Sequence, residues 1–287
     1  MPQVPVNGVN LYFEEAGSGT PILFLHEFAG DYRSWEPQMR YFARRYRCIA
    51  YSCRGYPGSD VPDKPDLYTQ DAHTADAIGL LDRLKIAKAH FVGCSMGSFT
   101  TLYVGLKHPE RCLSLTLSAT GSGVGANRAE WLKDTQKRAE GFLKLRGGAA
   151  AEELAMGPTR IQLYNKDRRG WEEFLRGLKE HSTKAAAYTL AGVQQGRPHL
   201  FDLAEQIGRC QVPAIVIMGD EDTTGHEGAM FLKNTLPRSG YAMFPKCGHA
   251  CNLEDPDLFN GTVERFLAAE EAGAWPARDP RSLAKGM

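Results

Sequence analysis

Four short stretches of the sequence carry groups that could do chemistry together. Gly93-Cys94-Ser95-Met96-Gly97 has the form G-x-S-x-G and lies where an apolar run meets an amphipathic one. Glycines on either side of the serine let the backbone turn sharply, so that the hydroxyl stands clear at the end of a strand. The first N–H groups of the helix that follows then point at incoming negative charge. The five-residue match is weak by itself, because a serine hydroxyl is a poor nucleophile until a base takes its proton. His249, in Lys246-Cys247-Gly248-His249-Ala250, is the candidate base: it sits in a late loop, beside a glycine and just before the last helical stretch. Of the other histidines, His90 falls inside a strand and reads as a core residue. His73, His108, His181, His199 and His226 read as solvated or capping.

An imidazole base needs a carboxylate to fix its tautomer and to stabilise the imidazolium. The apolar run Ala214 to Met218 ends in Gly219-Asp220-Glu221-Asp222, which offers three acids in the order Ser, acid, His. The loop after Ser118 has no acid until Glu130, which removes the main competing position. A developing oxyanion needs two donors. The backbone N–H of Met96 is one, and that of Phe28, in His26-Glu27-Phe28-Ala29-Gly30 after the first buried run, is the other.

The elements that would hold these residues alternate. Pro21–Leu25, Arg47–Ser52, Ala89–Gly93, Ser114–Ser118, Val212–Met218 and Tyr241–Phe244 read as buried strands, with amphipathic helices between them over about Asp71–Leu84, Met96–Lys107 and Pro256–Glu271. Val4 to Glu15, with a turn at Asn7-Gly8, reads as an exposed hairpin. This is the pattern of an α/β fold with a mostly parallel sheet covered by helices. From Gly121 to Leu203 the rhythm breaks into helical periodicity, with Trp131, Phe142, Leu145, Leu154, Trp171, Phe174 and Leu178 as apolar positions. An insertion of roughly eighty residues is too long for an ordinary connection and is expected to form a lid. Most of its apolar residues pack on the core, and a minority, Trp131 among them, would line a pocket. The expected division is a core of 1–122 and 204–287 and a helical cap of 123–203. Trp275 to Met287 reads as a loosely attached tail.

These motifs, in this order, resemble the α/β-hydrolase family over nearly the whole chain. The Arg54-Gly55-Tyr56-Pro57-Gly58-Ser59 loop adds to the resemblance. It implies an eight-stranded, mostly parallel sheet with an inserted all-helical cap. The Gly-x-x-Asp that such proteins carry after the penultimate strand implies Asp222 as the triad acid. It also implies a cofactor-free serine hydrolase for a carboxylic ester or lactone, working through an acyl-enzyme on Ser95. C–C bond hydrolysis, perhydrolysis and a ligand receptor on the same triad are the alternatives. Two departures stand out. Glu27 replaces the glycine of the usual His-Gly pair, and it would either turn away to accept backbone hydrogen bonds or contact a polar or cationic substrate group. Cys94 replaces the Asn carried by many C–C bond hydrolases, which disfavours that chemistry. A serine nucleophile also disfavours the haloalkane dehalogenase and epoxide hydrolase branches, which use Asp.

Bulk properties set the remaining expectations. A formal net charge of +0 gives no reason for a nucleic-acid or anionic-membrane partner, so the expected partner is a small-molecule substrate, with oligomeric state open. The N-terminus lacks the form of a signal peptide, so the match to a glycosylation sequon at Asn260-Gly261-Thr262 carries no weight. Seven cysteines, an odd number, fit reduced thiols in a cytoplasm better than a disulfide framework. Cys247-Gly248-His249-Ala250-Cys251 lacks the ligand spacing of a zinc site, so no metal is expected. Gly121-Ser122-Gly123-Val124-Gly125 reads as the hinge into the lid rather than a dinucleotide loop.

Overall fold

The computed structural model describes residues 3–125, 128–144 and 148–282. The chain opens with a hairpin of β1 (Gln3–Val6) and β2 (Val9–Ala16). Asn7 and Gly8 both take positive φ, the backbone that a two-residue turn between twisted strands requires. The sheet is completed by β3 (Pro21–Leu25), β4 (Arg47–Tyr51), β5 (Ala89–Cys94), β6 (Cys112–Ser118), β7 (Ala214–Gly219) and β8 (Ser239–Phe244). Its order is β1-β2-β4-β3-β5-β6-β7-β8. The pairs β1–β2 and β2–β4 are antiparallel, and the other five are parallel. The expected α/β fold with eight strands is therefore present.

Alternate residues of the central strands feed two apolar layers. Ile22 and Phe24 of β3 pack with Trp35, Met39 and Phe42 and with Phe259, Val263 and Phe266. These belong to α1 (Glu36–Phe42), the turn before it, and α12 (Pro256–Glu271). Leu23 and Leu25 face the other way, with Leu80 and Leu81 of α2 (Gln70–Arg83) and Phe99 and Leu102 of α3 (Met96–Lys107). Because both faces are covered, β5 and β7 are buried throughout, which is why β7 reads as an unbroken apolar run and β5 as one broken only by His90.

Between β6 and β7 the described residues hold no strand. They form α4 (Arg128–Lys144), α5 (Gly148–Ala155), α6 (Ile161–Lys166), α7 (Arg168–Lys179) and α8 (Thr183–Tyr188), then a π-helical stretch over Thr189–Gln195 and α9 (Ala204–Arg209). Phe142, Trp171, Phe174 and Leu178 are buried, Trp131 and Leu154 partly so, and Leu145 lies outside the described residues. After β7 come α10 (His226–Thr235) and, ahead of α12, the short α11 (Cys251–Glu254). No helix among the described residues is long and apolar enough to cross a membrane.

Three expectations need correction. The tail is anchored at its start: Trp275 packs on Phe266, with ring centroids 4.7 Å apart, and its indole N–H donates to the carbonyl of Arg238 at 3.0 Å. Residues 276–282 beyond it are exposed. His73 is not solvated but buried on α2, and neither ring nitrogen has a hydrogen-bond partner among the described residues. His181 is also buried, 3.6 Å from Asp31.

Candidate active site

Ser95 joins β5 to α3 with φ of 52°, a left-handed value that strains any residue but glycine. Its N–H is tied to the carbonyl of Ser118 at 2.8 Å. The flanking glycines permit the turn. A Cβ on Gly97 would run into the carbonyls of Leu25 and His26, and one on Gly93 into the carbonyl of Gly97. The first turn of α3 thus lies against the end of β3, from which the Phe28 loop departs. Among the described residues neither the Phe28 nor the Met96 N–H donates to a protein acceptor. Both residues are buried. Two free N–H groups beside the serine suit an oxyanion, because buried backbone donors are nearly always paired.

The acid and the base meet. His249 Nδ1 lies 2.6 Å from Asp222 Oδ2, and Thr224 Oγ1 donates to Asp222 Oδ1 at 3.2 Å. Their side chains are only 8% and 1% exposed. Burial alone would raise the Asp222 pKa. The charge and hydrogen bond of His249, with the Arg160 charge beyond, reverse this and hold the carboxyl below its ordinary value. An ionised Asp222 keeps the proton on Nδ1, leaving Nε2 as the basic nitrogen. The neighbouring acids have other partners: Asp220 accepts the Cys247 N–H at 3.1 Å, and Glu221 accepts Gln162 Nε2 at 3.1 Å. No hydrogen bond joins Ser95 to His249 among the described residues. The two loops touch through Cys94, whose Sγ is 3.8 Å from the His249 carbonyl. Burial pushes the Cys94 thiol well up, so it stays protonated and inert.

Glu27 has a side-chain partner that the sequence did not suggest. It is paired with Arg160, a cap residue immediately before α6, and their side chains are 3% and 5% exposed. A buried carboxylate with a cation against it is close to neutral as seen from the oxyanion position, so Glu27 does not oppose charge developing there. Trp131 lies on α4 with its ring against Gly123 and 5.3 Å from the Arg197 guanidinium. Arg197 in turn sits 3.4 Å from the centre of the Phe99 ring, one turn beyond Ser95. Desolvation pulls its pKa down to about 9. Trp131 therefore joins a stack that holds the cap on α3. The cap aromatic that reaches the Phe28 loop is Phe142, with ring centroids 5.7 Å apart.

A match to the α/β-hydrolase fold family spans residues 20–256. The chain belongs to that family, and it is a hydrolase. This α/β hydrolase is 27% identical over 253 residues to the 3-oxoadipate enol-lactonase 2 of Acinetobacter baylyi, covering 86% of this chain and 88% of that one. Among solved structures it superposes on the enol-lactonase of Burkholderia xenovorans with a TM-score of 0.82 at 24% identity, covering 93% of this chain and 100% of that one. A thermophilic esterase of Thermogutta terrifontis gives a TM-score of 0.84 at 23% identity, covering 94% and 99%. At these identities the superpositions speak for the fold alone.

Several residues that shape the site of this hydrolase were not read from its sequence. His26 accepts the Cys53 N–H on Nε2 at 3.0 Å and contacts the Glu27 carbonyl through Nδ1 at 2.7 Å. Burial lowers its pKa to about 4, so it stays neutral and keeps the oxyanion loop folded. Glu254, on α11, accepts the N–H groups of Gly248 at 2.6 Å and Ala250 at 3.1 Å, the two neighbours of His249. Its place five residues after His249 and just before Asp255-Pro256 was a usable signal. Arg160 offered none, because its partner lies 133 residues away.

Proposed function

We propose that the chain is a cofactor-free serine hydrolase of a carboxylic ester or lactone of a small to medium organic acid. The observation that carries this reading is the His249–Asp222 pair, buried and 2.6 Å apart, at the end of the sheet where Ser95 turns beside two unpaired N–H groups. The relative named as an enol-lactonase supports ester or lactone chemistry.

In this mechanism Ser95 Oγ attacks the carbonyl carbon as His249 Nε2 takes its proton, and Phe28 and Met96 donate their N–H groups to the oxyanion. His249 then gives the proton to the leaving alkoxide, forming the acyl-enzyme. A water molecule, deprotonated by the same nitrogen, releases the acid. The cap covers the site, so bulk water is kept from the reaction and substrate selection falls to cap residues such as Phe142. The partner is accordingly a small molecule, not nucleic acid or membrane. A cytoplasmic setting is supported by seven free, buried cysteines.

Hydrolysis of p-nitrophenyl esters from acetate to octanoate, and of simple lactones, by wild type and Ser95→Ala tests this. Multiple turnovers in wild type that fall by about 10⁴ or more in the variant are expected. Equal rates in the two proteins would sink the reading.

A further inference from the structure

One stretch of the cap touches the oxyanion, acid and base loops of the site. The Thr159 carbonyl accepts the His249 N–H at 3.2 Å and a hydrogen bond from Arg160 Nη1 at 3.2 Å. Arg160 Nη2 donates to Glu27 Oε2, and the guanidinium carbon lies 5.9 Å from the centre of the Phe174 ring on the cap side. Gln162 reaches Glu221, the neighbour of Asp222, and Lys166 Nζ lies 3.9 Å from Glu254.

We propose that Arg160 is a positioning residue for the hydrolysis, setting the oxyanion donor through Glu27 and the base through the Thr159 carbonyl. The reasoning starts from the peptide between Glu27 and Phe28. Its carbonyl is held by His26 Nδ1 at 2.7 Å and by the Gly30 N–H at 3.2 Å. The peptide is planar, so the Phe28 N–H is aimed the opposite way. The Glu27 side chain is the remaining freedom of that residue, and Arg160 removes it. Because the same guanidinium holds Thr159, one cap residue ties the donor to the base. The site is then fully ordered only with the cap in place. This inference rests on the roles given above to Ser95, His249 and Phe28.

The test measures p-nitrophenyl acetate kinetics, together with the rate at which a fluorophosphonate labels Ser95. Arg160→Gln and Glu27→Gln should each lower kcat on the order of 10- to 100-fold with KM within about twofold. The double variant Glu27→Gln/Arg160→Gln leaves no buried charge and keeps an amide pair, so it should be less impaired than either single variant. Arg160→Lys retains the ion pair, and with it the fold, but gives up the nitrogen that reaches Thr159. It should lose several-fold in kcat at constant KM. Wild-type kcat in Arg160→Lys, a loss carried by KM, or a double variant as slow as the product of the two single losses would each overturn the proposal. If wild type does not label at Ser95, the serine-hydrolase reading itself fails and this one falls with it. Normal labelling in all the variants overturns the positioning role alone.

Discussion

Asp222 is separated from two neighbouring acids by its partners rather than by its residue type. It is the one bonded to His249, while Asp220 and Glu221 hold a backbone N–H and a cap glutamine. Asp222→Asn would keep the shape but turn an amide donor or a weaker acceptor toward Nδ1, favouring the wrong imidazole tautomer. The expected loss in kcat is about 10⁴ with little change in thermal stability, read by ester kinetics beside a melting curve. The region was legible because an acid after the penultimate strand and a histidine after the last need no knowledge of packing, while among the three acids only the family resemblance pointed to Asp222. Glu27 was legible as an anomaly but not as a pair. A contact between residues 27 and 160 leaves no local periodicity, and only the folded cap brings them together.

At the scale of elements, apolar pattern and glycine placement carried most of what was readable. The boundaries of β3, α3 and α12 follow from the unbroken run Pro21–Leu25, the elbow at Ser95 and the Asp255-Pro256 start, where Asp255 caps the helix through the Leu258 N–H at 3.2 Å. The short α11 was not readable, because four residues give no period, yet it carries Glu254. That carboxylate grips the base loop from both sides of His249, and burial raises its pKa above the usual carboxylate range. Glu254→Gln replaces one accepting oxygen with a donor that faces an N–H. We expect it to lower stability by about 2 kcal/mol in urea unfolding. It should also lower kcat more than KM, since the base loop loosens while the pocket stays. Unchanged urea midpoints would mean that α11 positions the loop through its backbone alone.

For the whole molecule, the buried neutral histidines make stability depend on pH above the range where carboxylates titrate. His26 uses both ring nitrogens inside the core, and desolvation lowers its pKa to about 4. His73 has neither nitrogen partnered, and desolvation, with the Arg54 charge nearby, lowers it to about 3. In the unfolded chain both would titrate near 6.5. Between pH 6.5 and 4 the unfolded state therefore binds more protons than the native state, and stability falls as pH falls through that window. From pH 7 to pH 5 the two together should cost on the order of 3 kcal/mol. Glu254 works the other way, since its raised native pKa favours the folded state as pH drops. Replacing His73 with leucine isolates one contribution. The variant removes a buried ring whose polar atoms are unpaired, so it should be more stable than wild type at pH 7 by about 1 kcal/mol. It should also lose less between pH 7 and pH 5 than wild type, because one fewer buried imidazole takes up a proton on unfolding. Urea midpoints at the two pH values measure both effects. A variant with the full wild-type pH dependence would place the proton uptake elsewhere, at His90 beside Glu271, whose pKa burial also lowers.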